Sequence, residues 1–156
     1  MARISIYTDG SSLGNPGPGG YGLVMASGGH KKEFSEGFRY TTNNRMELLS
    51  VIVGLEQIKG SGHQVLVVSD SKYVVDSVEK KWVFGWQQKG FKGKKNVDLW
   101  VRFLRIYPKN DVKFQWVKGH AGHPMNERCD ELAVEAASGS NQIQDAAFEV
   151  ESNFRV

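Results

Sequence analysis

The chain reads as an α/β fold built on a five-stranded mixed sheet with helices on both faces. Three observations point there. Alternating apolar residues mark three strands near the amino terminus, joined by short glycine-rich connections, which makes them an antiparallel meander. A helical stripe followed by a short buried apolar run then calls for a parallel crossover, so the sheet is mixed. Further stripes at helical spacing supply the helices that cover it.

Taken in order, Arg3 to Asp9 alternates Ile4, Ile6 and Thr8 against Ser5, Tyr7 and Asp9, a period of two that marks a strand. GSSLGNPGPGG follows as a loop of turn formers. Tyr21 to Ala26 is a second apolar run, and after Gly28-Gly29 a third alternates Phe34, Glu36, Phe38 and Tyr40. Leu48, Val51, Ile52, Leu55 and Ile58 form a helical stripe closed by Gly60 and Gly62. Gln64 to Asp70 is a buried strand, and Ser71 to about Glu79 a short helix with Val74, Val75 and Val78 inward. After KKWVFGWQQKGFKGKK comes a helix from about Val97 to Tyr107, stopped by Pro108. Val112, Phe114 and Trp116 alternate in the last strand, and from Asn126 the stripe Cys129, Leu132, Ala133 and Ala136 marks a final helix. Residues 139–156 lose this periodicity and are expected to form a loosely packed tail, although Phe148, Val150, Phe154 and Val156 are large apolar residues for a free one.

At 156 residues the chain suits one domain with a core of its own, and 40% hydrophobic with 24% charged residues is the balance of a globular protein. Its longest apolar run, LLSVIVGL, is too short for a membrane span, and strand-like alternation starts too near Met1 for a signal peptide. The single Cys129 excludes an internal disulfide and lies on an apolar stripe, so a buried thiol in a reducing cytoplasm is expected.

Four acids stand out by placement. Asp9 and Asp70 each end an apolar strand that should be parallel and adjacent, Glu47 lies near the start of a helix, and Asp130 borders the buried stripe of the last helix. Each has an ordinary alternative: Asp9-Gly10 fits a turn, Asp70 before Ser71 a helix cap, Glu47 three residues after Asn44 a capping box, and Asp130 a solvated acid. Joint placement favours a site, because the carboxyl ends of parallel strands are where such sheets bind ligands. Gathered carboxylates repel unless a cation neutralises them, and an all-oxygen set selects Mg²⁺ or Mn²⁺ over zinc. His120, in the loop before Asp130, fits a base or proton shuttle.

The net charge of +3 is modest, but its distribution is uneven. Between Lys80 and Val97 there are six Lys and no acid, with Lys89, Lys92, Lys94 and Lys95 among them, interleaved with Trp82, Trp86 and Phe91. A lysine run is usually a solvated face, and tryptophans four apart usually face a core. Flat rings between ammonium groups suit the sugars and phosphates of a nucleic-acid strand better.

The motifs YTDGSSLGNPGPGGYG, TTNNRMEL, VVSDSKYV, KNVDLW and VKGHAGHPMNERCDELA together resemble a type 1 ribonuclease H, over about Arg3 to Ala137. The resemblance implies a ribonuclease H-like fold over residues 1–138 and an endonuclease that hydrolyses the RNA strand of RNA/DNA hybrids with two Mg²⁺ ions, leaving 5′ phosphate and 3′ hydroxyl. By matching position Asp9, Glu47, Asp70 and Asp130 are the metal ligands and His120 the mobile loop histidine. Gly10, Asn15, Asn43 and Asn44 match residues that reach the RNA sugars or minor groove, and Thr42 and Asn96 match those that hold a DNA phosphate. Trp82, Trp86 and Phe91 match an aromatic channel beside the DNA strand, and the surrounding lysines its basic protrusion. Lys72 stands where related bacterial enzymes often carry Gln, at a minor-groove contact. Tyr40 stands where some members carry Arg, leaving Arg39 as a substitute. A monomer with no obligate protein partner and no membrane association follows. Three rivals share part of the pattern. A hybrid-binding module has no need of four acids, an integrase-like or junction-resolving nuclease lacks the GHAGHPMNERCDELA run, and a Mg²⁺-dependent phosphatase lacks the aromatic channel.

Overall fold

The computed structural model describes residues 3–119 and 122–154. Strands β1 (Ile4–Ser12), β2 (Gly17–Ser27) and β3 (His30–Thr41) form the expected antiparallel meander. Helix α1 (Asn43–Glu56) leads across to β4 (Gln64–Ser69), which pairs parallel with β1 on one side and with β5 (Asp111–Trp116) on the other. Helices α2 (Lys72–Glu79), α3 (Trp82–Gln88) and α4 (Val97–Ile106) lie between β4 and β5. After β5 come α5 (Pro124–Ser138), β6 (Gln142–Ile143) and α6 (Ala146–Glu151), and the sheet order is β5-β4-β1-β2-β3-β6.

Strand alternation sends successive side chains to opposite faces, and two cores result. Ile6 and Leu23 pack with Leu48, Ile52, Leu55, Trp100 and Phe103 on one face, while their neighbours Tyr7 and Val24 meet Cys129, Leu132 and Met125 on the other. Burying each large apolar side chain contributes roughly 1.5–3 kcal/mol, so both faces are held by packing. β4 lies between two parallel partners, which is why its VLVVS run is apolar at consecutive positions. Glycines let α5 settle on the sheet: a Cβ at Gly20 would come within 2.6 Å of the Ala133 carbonyl oxygen, and one at Gly22 would overlap that of Cys129. The helix carrying Asp130 is thereby drawn down onto β1 and β2.

The sheet has six strands where five were expected, and the difference lies in the tail. β6 pairs parallel with β3, placing Gln142 opposite Gly37 and Ile143 opposite Phe38. Buried Asp145 accepts from Arg45 Nε and Thr41 Oγ1, both at 2.6 Å, and Glu149 pairs with Arg39 at 2.6 Å. Tyr40 stacks on Phe154 with ring centroids 4.3 Å apart, and Phe148 lies against the same tyrosine. Residues 139–154 are therefore docked, not loose. Two-residue and six-residue elements are too short to show periodicity, and their anchors lie some 100 positions away.

Candidate active site

Register places the first two acids together. Tyr7 is level with Val68 in the β1–β4 pair, so two residues further on Asp9 is level with Asp70. β4 ends at Ser69, and Asp70 is not a helix cap: Ser71 caps α2, its Oγ accepting from Val74 N at 3.2 Å. Asp9 does not end its strand or begin a turn, because β1 runs on to Ser12 paired with β2. The Trp116 indole N–H donates to the Asp70 carbonyl at 3.0 Å and holds that corner.

Glu47 reaches the same point from α1. Thr42, not Asn44, caps that helix, its Oγ1 accepting from Arg45 N at 3.2 Å, which leaves Glu47 free of a capping box. Its buried carboxylate accepts from Gly10 N–H, which also donates to Asp9 Oδ1 at 2.9 Å. Gly10 allows this approach, since a Cβ there would overlap the backbone of Met46 and Glu47. Asp9, Glu47 and Asp70 each offer an oxygen within 4.8 Å of the others. Asp130 faces them from α5 across a cavity of about 420 Å³, whose wall also includes Gly10, Asn43, Asn44, Lys72 and Tyr73.

Electrostatics at this point favour a bound cation. Burial, with Asp70 and Asp130 alongside, pushes the Asp9 carboxyl up to about 7. Burial and then Asp9 and Asp70 hold Glu47 well above the usual carboxylate range. Among the described residues no lysine or arginine forms an ion pair with any of the four acids. A close set of oxygen donors without a countercharge fits a hard divalent ion. Cys129 takes no part, since burial pushes its thiol up to about 12.

The remaining expected residues divide between two places. Asn15, Thr42, Lys95 and Asn96 line a second cavity of about 350 Å³, which shares Asn44 with the first. Lys89, Lys92, Lys94 and Lys95 are exposed, as is Trp82, while Trp86 and Phe91 are partly buried against the core. Trp86 meets Trp100 edge-on and carries Lys94 Nζ 5.0 Å above its ring. Lys72 lies over Trp116 at 4.7 Å, on the rim of the acid cavity. Arg39 is not available as the substitute for an arginine at Tyr40, because Glu149 and the Phe154 ring engage it. His120 lies outside the described residues. Two site residues carried no signal in the sequence. Tyr73 lines the acid cavity and accepts from Asn96 Nδ2 at 3.0 Å, and Arg45, fully buried, binds Asp98 and Asp145 and reaches Asn96.

A mixed sheet whose parallel strands deliver clustered carboxylates into an open polar cleft forms a candidate site for a hard divalent ion. Comparison with known proteins agrees. The RNase H family model matches residues 1–138. A ribonuclease H of Desulforamulus reducens is 55% identical over 146 residues, covering 90% of this chain and 91% of that protein. The crystal structure of LC9-RNase H1, a type 1 RNase H with the type 2 active-site motif, superposes with a TM-score of 0.81 at 35% identity, over 100% of this chain and 82% of that one. LC11-RNase H1 in complex with RNA/DNA hybrid gives 0.66 at 29% identity, over 86% and 96%. The chain belongs to the ribonuclease H family, an enzyme family of metal-dependent endoribonucleases.

Proposed function

We propose that this protein hydrolyses the RNA strand of RNA/DNA hybrids at the Asp9, Glu47, Asp70 and Asp130 cleft, leaving 5′ phosphate and 3′ hydroxyl ends. The observation that carries this reading is the convergence of three carboxylates within 4.8 Å at the bottom of a cleft lined by amides. The hybrid seen bound to the related LC11-RNase H1 supports the substrate class. The four acids would hold two Mg²⁺ ions, with Mn²⁺ as a substitute, and such ions supply an acidified water and charge compensation at the departing oxygen. The protein's own groups bind and orient. Gly10, Asn43 and Asn44 line the cleft and Asn15 the adjoining cavity, where their donors and acceptors suit 2′-hydroxyls that DNA lacks. Thr42, Lys95 and Asn96 seat a DNA phosphate in that cavity, and Lys72 contacts the minor groove from the rim. Trp82, Trp86 and Phe91 with Lys89, Lys92 and Lys94 carry the DNA strand further along. His120 moves a proton or helps product leave.

The enzyme acts in the cytoplasm as a monomer without an obligate protein partner. No helix among the described residues is long and apolar enough to cross a membrane. The test is a cleavage assay on end-labelled RNA/DNA hybrid, duplex RNA and duplex DNA of one sequence in Mg²⁺. Cutting of the RNA strand of the hybrid alone is the expected result, and cutting of duplex DNA at a comparable rate would overturn the assignment.

A further inference from the structure

The carboxy-terminal helix reaches the substrate side of the molecule. Phe148 and Glu151 of α6 line the second cavity, opposite Thr42, Asn44, Lys95 and Asn96. Every polar side chain on the other side has a hydrogen-bond donor or carries a positive charge, and Glu151 is the one acid among the residues that line the cavity. It is not there to balance Lys95 directly, since among the described residues no ion pair joins Glu151 to any cation.

Its backbone position is fixed. Arg45 is held by Asp145 at the start of α6 and by Asp98 on α4, with bonds of 2.6–2.8 Å, and its Nη1 reaches Asn96 Oδ1 at 3.4 Å. The same guanidinium lies 5.6 Å over the Phe148 ring. One buried cation therefore ties the tail to the wall that bears Asn96 and Lys95. We infer that α6 is a wall of the substrate path and that Glu151 opposes Lys95 there, weakening the hold on a strand phosphate and so limiting how tightly hybrid is kept. This inference rests on the function proposed above.

The experiment measures KM for a labelled hybrid in Mg²⁺ at low ionic strength with wild type, Glu151→Gln, Lys95→Gln and the double variant. Glu151→Gln should lower KM by roughly two- to fivefold, a difference that salt near 0.5 M should screen away. In the Lys95→Gln background the same change should have less than half of that effect, because without Lys95 the phosphate is no longer held close to the wall that faces Glu151. Glu135→Gln, which alters an exposed acid of α5 lining neither cavity, should leave KM where it was. The inference is overturned if Glu151→Gln leaves KM unchanged, if Glu135→Gln matches it, or if its effect is undiminished without Lys95. Failure of the wild type to cut hybrid would remove the proposed function itself. Normal cutting with an unmoved Glu151→Gln removes only this inference.

Discussion

Removing divalent ions should make the protein less stable as pH rises from about 4 to about 7. Asp9 has an ordinary value of 3.8, which burial and its acidic neighbours push up to about 7 in the folded state. Between those values the folded chain holds a proton that the unfolded chain has released. The stability this lends is complete below 3.8 and is lost as pH climbs through about 7. A shift of about three units corresponds to about 4 kcal/mol at most, and because Glu47 competes for the same proton a loss of about 2–4 kcal/mol is expected. For a domain of this size that is a fall in Tm of roughly 5–15 °C. Glu33, Asp98 and Glu149, which their arginine partners hold below the usual range, act in the opposite sense at the acid end of the window, so the comparison with Asp9→Asn isolates the part that belongs to Asp9. The assay is thermal unfolding in EDTA at half-unit steps of pH, on wild type and Asp9→Asn. Mg²⁺ should flatten the wild-type curve, and Asp9→Asn should flatten it without metal. A wild-type Tm that stays level or rises across this window in EDTA would refute the reasoning, as would an unchanged slope in Asp9→Asn.

Three further outcomes are expected. Asp145→Ala leaves fully buried Arg45 without one of its two carboxylates and Thr41 Oγ1 without its acceptor, so urea unfolding should show a loss of about 3–5 kcal/mol, and a loss under 1 would contradict the docked tail. Changing Lys89, Lys92, Lys94 and Lys95 together to Ala should raise KM for hybrid and reduce its salt dependence by up to about one counterion for each phosphate that a lysine no longer neutralises; binding as tight as wild type at every salt concentration would make the stretch an ordinary solvated surface. His120→Ala should lower kcat by roughly 10²-fold, and a complete loss would instead point to a metal ligand.

Much of this architecture was legible in the residues because it is periodic. The meander, the crossover and the helical stripes follow from alternation and spacing over six or more residues, and the three-acid cluster follows from placing Asp9 and Asp70 at one sheet edge. What escaped was set by single contacts between distant positions. Which hydroxyl caps a helix decided that Asp70 and Glu47 were free for the cleft, and Thr42 and Ser71 could not be told from Asn44 and Asp70 by residue type alone. The tail escaped for the same reason: its anchors are Arg45, Arg39 and Tyr40, contacts with no local pattern. Arg45 itself lies in a polar TTNNR run with no apolar stripe to mark it as buried, and only the fold surrounds it with Asp98 and Asp145.

The central claim is that the four carboxylates hold the ions on which hydrolysis depends. The most direct measurement is a Mg²⁺ titration of hybrid cleavage by wild type and Asp70→Asn, with hybrid binding followed in parallel. The neutral amide keeps the shape of Asp70 and loses one anionic ligand. Wild type should show no cleavage in EDTA and a saturable rise with Mg²⁺, while Asp70→Asn binds hybrid but cuts below a few per cent of the wild-type rate at every Mg²⁺ concentration. Cleavage by Asp70→Asn at a rate near that of wild type, or wild-type cleavage that persists in EDTA, would contradict it.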